Sequence, residues 1–243
     1  MKKIVLILTL LSSLIYAKGY SFTLFHTYVK EKSLTDKYCQ KNSEGVDFCS
    51  ESSISYPVVA SRNTTLNKGV KKIIKEYIQE FKKGSAKEEV ITTLREMPEA
   101  SLAYESQMDI KLYALTKKTF TLSVSSYVYQ GGAHGNHNLS YFNYNIKTLK
   151  EIGLDDILKQ GYSKRLKKIA EKAYRESNNY MPKENLTDLG WFENKFILTD
   201  NYAITSRGLE FLYNPYEIKP HIAGITTFVL PYNRIISIMK SDK

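Results

Sequence analysis

The stretch TFTLSVSSYVYQGGAHGNHNLSYFNYNI, residues 119–146, holds two segments rich in aromatic and β-branched residues on either side of a glycine-rich loop. This composition, interrupted by Gly and Asn, predicts two β-strands joined by a turn. The preceding tract SLAYESQMDIKLYALT, residues 101–116, has the same character and ends at Lys117 and Lys118. We therefore expect a three-stranded antiparallel meander over these residues.

Towards the N-terminus the period of the apolar residues changes. Apolar side chains recur at helical spacing from Leu66 to Phe81, Asn63 or Thr64 can cap the start, and Gly84 follows the end. Ser85 and Glu88 have capping-box spacing and predict a second short helix, which ends at Met97 before Pro98. Two strands are predicted before these helices, TLFHTYV at 23–29 and SISYPVV at 53–59.

The second half of the chain again mixes helical and strand-like segments. Helices are expected at 154–158, 163–174 and 233–239, and short strands at FILTD (196–200), YAITS (202–206), LEFLYN (209–214) and TTFVLPY (226–232). Strands and helices arrive in blocks and do not alternate, which favours an α+β fold with antiparallel sheets packed against a few helices. We expect two subdomains, residues 18–98 and 99–243, after an N-terminal signal.

That signal is predicted at residues 1–17, where Lys2 and Lys3 precede an apolar run from Ile4 to Ile15 and then Ala17. The run is shorter than the roughly 20 residues that span a bilayer as a helix. We therefore expect an exported, soluble chain in the periplasm or the medium, with no stable membrane span after cleavage. A retained N-terminal anchor is the alternative.

Cys39 and Cys49 are the only cysteines, and they flank a segment with a Ser-Glu-Gly turn signal. Disulfides persist in exported proteins, so the pair predicts a disulfide that closes a hairpin. A metal site built on two cysteines is the alternative, but structural zinc sites take four ligands.

The chain is basic, with a formal net charge of +10 that falls to +8 without Lys2 and Lys3, and it contains 19 tyrosines. A positive field favours anionic partners such as wall polymers, lipid head groups or nucleic acid. No known nucleic-acid-binding motif accompanies the charge, so we expect no nucleic acid partner. The lysine-rich helix faces are interpreted as solvated surface.

Two motifs in a fixed order resemble a known family. YVYQGGAHGNHNLSYFNYNI (127–146), followed by LEFLYNPYEIKPHIAGITTFVLPY (209–232), is similar to a DUF3298/DUF4163-type domain. That domain is shared by the lysozyme-sensing anti-sigma factor RsiV and certain exported peptidoglycan deacetylases. SYPVV at 55–59 is similar to the partner domain that usually precedes it. The matching residues are Gly131, Gly132, Ala133, His134, Pro215, Tyr216, Glu217, Ile218, Pro220, Ala223, Gly224, Pro231 and Tyr232, whereas His221 replaces the aromatic residue, such as Tyr, that is usual in the family.

The resemblance implies a secreted, two-part α+β module, and it does not imply catalysis. In the deacetylases the chemistry belongs to a separate metal-dependent domain with an Asp-Asp motif and histidines, which this chain does not supply. In the anti-sigma factor the module binds lysozyme. We therefore expect neither a cofactor nor catalytic residues.

The two motifs also define a candidate binding site. If the glycine-rich turn and the proline-flanked loop lie at neighbouring strand ends, they form one groove, because prolines stiffen a loop and glycines permit positive φ. Its expected lining is Tyr129, Gly131, Gly132, His134, Asn136, Tyr213, Tyr216 and Glu217. Glu217 could equally be a buried partner for the backbone amides of the turn, and His134 could simply hold the turn by bonding the neighbouring backbone.

Two chemical alternatives compete with this interpretation. A metal site could use His134 and His137 with His221 or Glu217, but a glycine-rich loop does not direct two rings to one point. His134 could activate Ser125 or Ser126, but no nucleophile-elbow motif is present.

Two functions follow, and neither predicts an oligomeric state. The chain could bind a lysozyme-like wall hydrolase, as the resemblance implies, or bind peptidoglycan or another anionic envelope polymer directly, as its charge and tyrosine content indicate. An unrecognised metal-dependent hydrolase is a third alternative. Because animal-type lysozymes are themselves basic, the first function needs a locally acidic contact, which Glu44, Asp47 and Glu51 around the hairpin could supply.

Overall fold

The computed structural model describes residues 19–241, so the predicted signal peptide at 1–17 lies outside the described residues. The described chain is α+β, as predicted, with a six-stranded sheet, a three-stranded sheet and a few helices. In both sheets the strands lie side by side in the order in which they occur in the sequence.

The larger sheet contains six strands in the first 145 residues. They are β1 (Gly19–Phe22), β2 (Thr27–Lys41), β3 (Asp47–Ala60), β4 (Tyr104–Leu115), β5 (Thr119–Tyr129) and β6 (Asn136–Asn145). The predicted meander is therefore present as β4, β5 and β6.

One pairing departs from the predicted antiparallel arrangement, because β3 and β4 run parallel from Ser50 and Tyr104 to Ser55 and Asp109. A parallel pair needs a long crossover connection. Here the crossover consists of two helices, α1 (Thr64–Lys83) and α2 (Ala86–Glu96). The sheet is therefore mixed.

Both crossover helices begin at the predicted caps. The Asn63 side chain accepts a hydrogen bond from Leu66 N at 3.0 Å, and the Ser85 hydroxyl accepts one from Glu88 N at 3.3 Å. These bonds satisfy backbone donors that have no partner inside the helix. The apolar face of α1 is buried at Leu66, Val70, Ile73 and Ile74, in one hydrophobic core with residues of the sheet.

The remaining elements form the second half of the structure. They are α3 (Leu154–Ile157), α4 (Ser163–Ser177), β7 (Tyr202–Ile204), β8 (Gly208–Tyr213), β9 (Thr226–Pro231) and α5 (Tyr232–Ile235), which continues into a 3-10 turn at Ile236–Ile238. The core here is aromatic, since the Tyr174 ring packs against Trp191, Phe196 and Phe228 and its hydroxyl accepts from Trp191 Nε1 at 2.9 Å.

Two strand predictions were wrong. Residues 196–200 form no strand, because Phe196 is buried in the aromatic core from an irregular segment. The segment 23–29 is a strand only from Thr27 onward, because Leu24–His26 form a 3-10 turn in which Phe25 and His26 have positive φ.

Side chains join the two sheets to each other. Asn143, on β6, donates to Tyr202 O at 2.8 Å and accepts from Ile204 N at 2.8 Å. The Tyr113 hydroxyl, on β4, donates to the buried Glu210 carboxylate on β8 at 2.6 Å. The predicted subdomain boundary at 98/99 stays a prediction; the strands that flank it, β3 and β4, pair within one sheet.

Cys39 and Cys49 form the predicted disulfide, between directly opposed positions of β2 and β3. Within residues 19–241, no helix combines the length and the apolar character that a membrane span requires.

Candidate functional site

The glycine turn, residues 130–135, connects β5 to β6 and takes its shape from two glycines. Gly131 and Gly132 have φ of 88° and 102°, which glycine adopts readily and other residues do not. The Tyr129 hydroxyl donates to Gly132 O at 3.1 Å, and His134 Nδ1 lies 3.1 Å from Gly135 O. Local hydrogen bonds therefore hold the turn, including the predicted contact of His134 with the neighbouring backbone.

The proline loop, residues 214–225, connects β8 to β9 and is held by its own backbone. Tyr216 N donates to Lys219 O at 3.0 Å, and Glu217 N donates to Asn214 O at 3.2 Å. Pro220 precedes a 3-10 turn at His221–Ala223, and the amide of Ala223 donates to Pro220 O at 2.9 Å. These internal bonds give the loop a defined backbone conformation.

The glycine turn and the proline loop meet through three rings, which we call the ring stack. The imidazoles of His134 and His221 are stacked, with centroids 4.8 Å apart and planes at 19°. The Tyr216 ring lies 5.4 Å from that of His221. The expectation that the two motifs are neighbours therefore agrees with the geometry, and His221 supplies the link.

Beneath the ring stack, Asn214 ties the proline loop to β6. Its Oδ1 accepts from Leu139 N at 2.7 Å, and its Nδ2 donates to Leu139 O at 3.1 Å and to Glu217 Oε1 at 3.2 Å. Glu217 is exposed and bonds to this amide, so it is not the buried partner of the glycine turn that was the alternative expectation.

The other predicted lining residues do not share one groove. Tyr213 is 1% exposed and belongs to the aromatic core, where its hydroxyl donates to Ile197 O at 2.7 Å. Burial raises the pKa of this tyrosine above its usual value. Asn136 is exposed as the first residue of β6, opposite Val128. His134 and Tyr216 are exposed on the two loops, and Tyr129, the last residue of β5, is half-buried.

The most exposed apolar residue of the site was not predicted from the sequence. Ile222, at the tip of the proline loop, is 96% exposed, and Tyr216 and Ile225 beside it are also exposed. The sequence does contain a signal for its exposure, because Ile222 follows Pro220 and His221 within a predicted loop. Exposed apolar groups on a held loop mark interaction surfaces.

Within residues 19–241, no three His, Cys, Asp or Glu side chains come together in a way that could hold a metal ion. His137 lies against the Tyr127 ring at 4.5 Å, whereas His134 lies against His221.

At the hairpin, Glu51 forms an ion pair with Lys37 at 2.7 Å, while Glu44 and Asp47 are exposed. The proposed acidic patch is therefore partly neutralised.

Comparison with protein families gives two matches on separate parts of the chain. Residues 155–233 match the family DUF3298, described as a protein of unknown function. Residues 43–137 match the family described as deacetylase PdaC.

Individual relatives agree with these matches. The chain is 22% identical over 192 residues to the peptidoglycan-N-acetylmuramic acid deacetylase PdaC of Bacillus subtilis. The aligned region is 78% of this chain but only 39% of that enzyme.

Two crystal structures share the fold. A DUF3298 family member from Bacteroides fragilis has a TM-score of 0.65 at 18% identity and covers 88% of this chain and 94% of its own. A DUF3298 family protein from Pseudomonas aeruginosa has a TM-score of 0.60 at 21% identity and covers 86% and 94%. Residues 155–233 are therefore similar to a DUF3298 domain, and the chain as a whole shares its fold with these two structures.

Proposed function

We propose that this protein is an exported, non-enzymatic binding module of the cell envelope that docks onto a lysozyme-like peptidoglycan hydrolase through the tip of the proline loop. The observation that carries the proposal is Ile222, 96% exposed on a loop held by internal hydrogen bonds. Kinship with a peptidoglycan deacetylase and the Cys39–Cys49 disulfide support a place in the envelope.

The shape of the tip supports a protein partner. An isoleucine presented by a held loop suits a concave partner, and enzyme active sites are concave and mostly apolar. Because the loop is already ordered, little conformational entropy is lost when it docks. Burial of a fully exposed isoleucine is worth about 1.5–3 kcal/mol, which corresponds to roughly tenfold or more in affinity.

The surroundings of the tip supply further contact area. Tyr216 is 57% exposed and Ile225 is 44% exposed, so both flank Ile222 with apolar surface. Tyrosine is enriched among the residues that dominate protein interfaces. The contacts of the Tyr216 ring with His221 and of His221 with His134 join this loop to the glycine turn.

Charge gives the proposal a distinctive salt dependence. The formal charge of +8 without Lys2 and Lys3 repels a basic hydrolase, so we assign the contact to the apolar tip, where burial of apolar surface can outweigh this repulsion. Salt screens this repulsion. Binding to a basic hydrolase should therefore hold or strengthen as salt rises, whereas charge-driven binding to an anionic polymer should weaken.

A matched pair of exposed isoleucines tests the tip. Ile222→Ser removes the proposed contact, and Ile236→Ser changes a 71% exposed isoleucine in the C-terminal 3-10 turn. With an animal-type lysozyme and suspended peptidoglycan, the wild-type protein should inhibit lysis. Ile222→Ser should lose roughly tenfold in inhibition, while Ile236→Ser should stay within about twofold because surface changes away from a contact have small effects. Absence of inhibition by the wild type, or equal loss in both variants, rejects this contact.

Direct binding of peptidoglycan is the second candidate, and the exposed face of Tyr216 favours it because an aromatic ring offers apolar surface beside a wet hydroxyl. Co-sedimentation with insoluble peptidoglycan in the absence of lysozyme measures it. Sedimentation that Tyr216→Ala abolishes, without any inhibition of lysozyme, would support this candidate against the first.

A further inference from the structure

A second surface, on the N-terminal half of the structure, has the composition of a ligand site. It is a groove of about 540 Å³ between α1 and strands β2 and β3. Four lysines line it, Lys32 from β2 and Lys68, Lys71 and Lys75 from α1. Neither the glycine turn nor the proline loop contributes to its lining.

The walls between the lysines are apolar. Tyr56, Val59 and Ile78 line the groove and pack against the hydrophobic core beneath it, and Ile74 is part of that core. Val58 is 41% exposed at the same surface. The volume falls within the range of small-molecule pockets, which are mostly apolar with a few placed polar groups.

The positive charge of the groove has no counterpart in the described structure. Within residues 19–241, none of the four lysines forms an ion pair, and no carboxylate lines the groove. Glu31 precedes Lys32 on β2, and successive side chains of a strand point to opposite faces. Glu31 is not among the residues that line the groove; it adds to the raised pKa of Tyr20, which is caused mainly by burial.

One polar atom at the wall also has unused hydrogen-bonding capacity. The Asn67 side chain donates through Nδ2 to Ser61 O at 2.8 Å. Its Oδ1 is buried and has no hydrogen-bond partner among the described residues. Buried polar atoms are normally paired, but an amide oxygen only accepts hydrogen bonds and so offers nothing to an anion; the lysines and the apolar walls alone indicate the chemistry of the ligand.

We propose that this groove binds a lipid with a single acyl chain and a phosphate head group. The acyl chain lies along Tyr56, Val59, Ile74 and Ile78, where its burial is favourable, and the phosphate is held by the lysines. A hydrated polyanion would leave the apolar walls without a partner, whereas an uncharged lipid would leave the lysines without one. An amphiphile with an anionic head satisfies both parts.

Soluble probes test the contributions of the apolar walls and of the lysines separately. Dodecyl phosphate below its micelle concentration should bind one molecule per chain in calorimetric titration. Octyl phosphate should bind at least about tenfold more weakly, because four fewer methylene groups are buried. Inorganic phosphate, which lacks a chain, and dodecyltrimethylammonium, which has the opposite charge, should each bind at least about tenfold more weakly than dodecyl phosphate.

Two adjacent lysines of α1 provide a matched control. Lys71 lines the groove and Lys72 does not, and both are exposed, so each substitution should leave the fold intact. Lys71→Glu should weaken dodecyl phosphate binding at least about tenfold, while Lys72→Glu should change it less than about threefold. Thermal unfolding of both variants checks that they are folded.

Three results would overturn the proposal. The first is equal binding of the anionic and cationic amphiphiles, and the second is an equal loss of dodecyl phosphate binding in Lys71→Glu and Lys72→Glu. The third is co-sedimentation with peptidoglycan that depends on Lys71 although dodecyl phosphate does not bind. That result would indicate that the groove binds a polymer. None of these measurements involves a hydrolase or Ile222. Failure here is therefore separate from failure of the proposed docking function.

Discussion

Asn214 pairs with the backbone of Leu139 through both atoms of its amide, accepting from Leu139 N at 2.7 Å and donating to Leu139 O at 3.1 Å. Asn201 acts in the same way, since it accepts from Tyr141 N at 2.9 Å and donates to Leu139 O at 2.7 Å. β6 is the edge of the larger sheet, and an unpaired edge is prone to non-native pairing. Side chains from the second half of the chain therefore cover this edge in place of another strand.

Asn214→Ala should destabilise the protein by about 1–3 kcal/mol, because it leaves Leu139 N without a partner, whereas Leu139 O keeps the hydrogen bond from Asn201 Nδ2 at 2.7 Å. The free energy of unfolding in urea measures the loss. Asn138→Ala is the matched control, since Asn138 is exposed on the same strand and its side chain bonds, among the described residues, only to the Ser140 hydroxyl at 3.1 Å. The control should change stability by less than about 0.5 kcal/mol. Equal effects would mean that Asn214 does not hold the two sheets together.

Gly132→Ala tests the backbone of the glycine turn. Gly132 has φ of 102°, and a Cβ added there meets no atom within 4 Å, so the substitution introduces backbone strain without a clash. We expect a loss of about 1–2 kcal/mol, measured by thermal or urea unfolding. Gly84→Ala, at φ of −66° and with ordinary contact distances, should be close to neutral. If both substitutions are neutral, the turn can adopt another conformation at little cost.

The elements that the sequence predicted well are those whose signals are local. The helix from Thr64 to Lys83 has an apolar face, an N-cap at Asn63 and a following glycine, all within about 20 residues. The strands β4, β5 and β6 are adjacent in sequence and joined by short turns, so their pairing follows from proximity alone. In both cases the residue composition and the order of the segments along the chain are enough to predict the helix or the strand pairing.

The features that escaped prediction depend on distant parts of the chain. A strand pattern does not encode the direction of its partner, so the parallel pairing of β3 with β4 across two helices was not foreseen. Phe196 carries an apolar signal typical of a strand, yet it is buried by the aromatic core around Tyr174. Asn214 lies 75 residues from Leu139, and no local pattern links them. The candidate site was located by its two motifs, but its lining depends on these long-range contacts.

The Cys39–Cys49 disulfide closes a hairpin with a sequence separation of 10. Replacing both cysteines with serine should lower the free energy of unfolding by about 2–3 kcal/mol, because the unfolded chain regains the entropy that the crosslink removes. Urea unfolding with and without a reductant measures this. Reductant should shift the wild-type midpoint towards that of the double variant and leave the variant unchanged. A reductant effect on the variant would show that the shift has another cause.

Tyr20 links stability to alkaline pH. Burial, partly opposed by the hydrogen bond to Leu112 and assisted by Glu31, raises the pKa of Tyr20 to about 12. Its hydroxyl accepts from Leu112 N at 3.0 Å and donates to Leu112 O at 3.2 Å, beside the register shift between Leu112 and Ala114. The native state therefore favours the neutral phenol. This contribution to stability is fully present below the unfolded pKa of about 10 and is lost as pH rises through the folded pKa.

Tyr20→Phe should therefore lower the free energy of unfolding at neutral pH but reduce the loss of stability at alkaline pH. At pH 7 it should cost about 1–2 kcal/mol, because the backbone groups of Leu112 lose the hydroxyl. Between pH 10 and 12 the variant should lose stability less steeply than the wild type, since phenylalanine has no proton to release. Urea unfolding at pH 7, 10 and 11 gives both quantities. Parallel stability curves for the two proteins above pH 10 would show that the alkaline loss comes entirely from other tyrosines, such as Tyr141, Tyr144 and Tyr202, whose pKa values burial also raises.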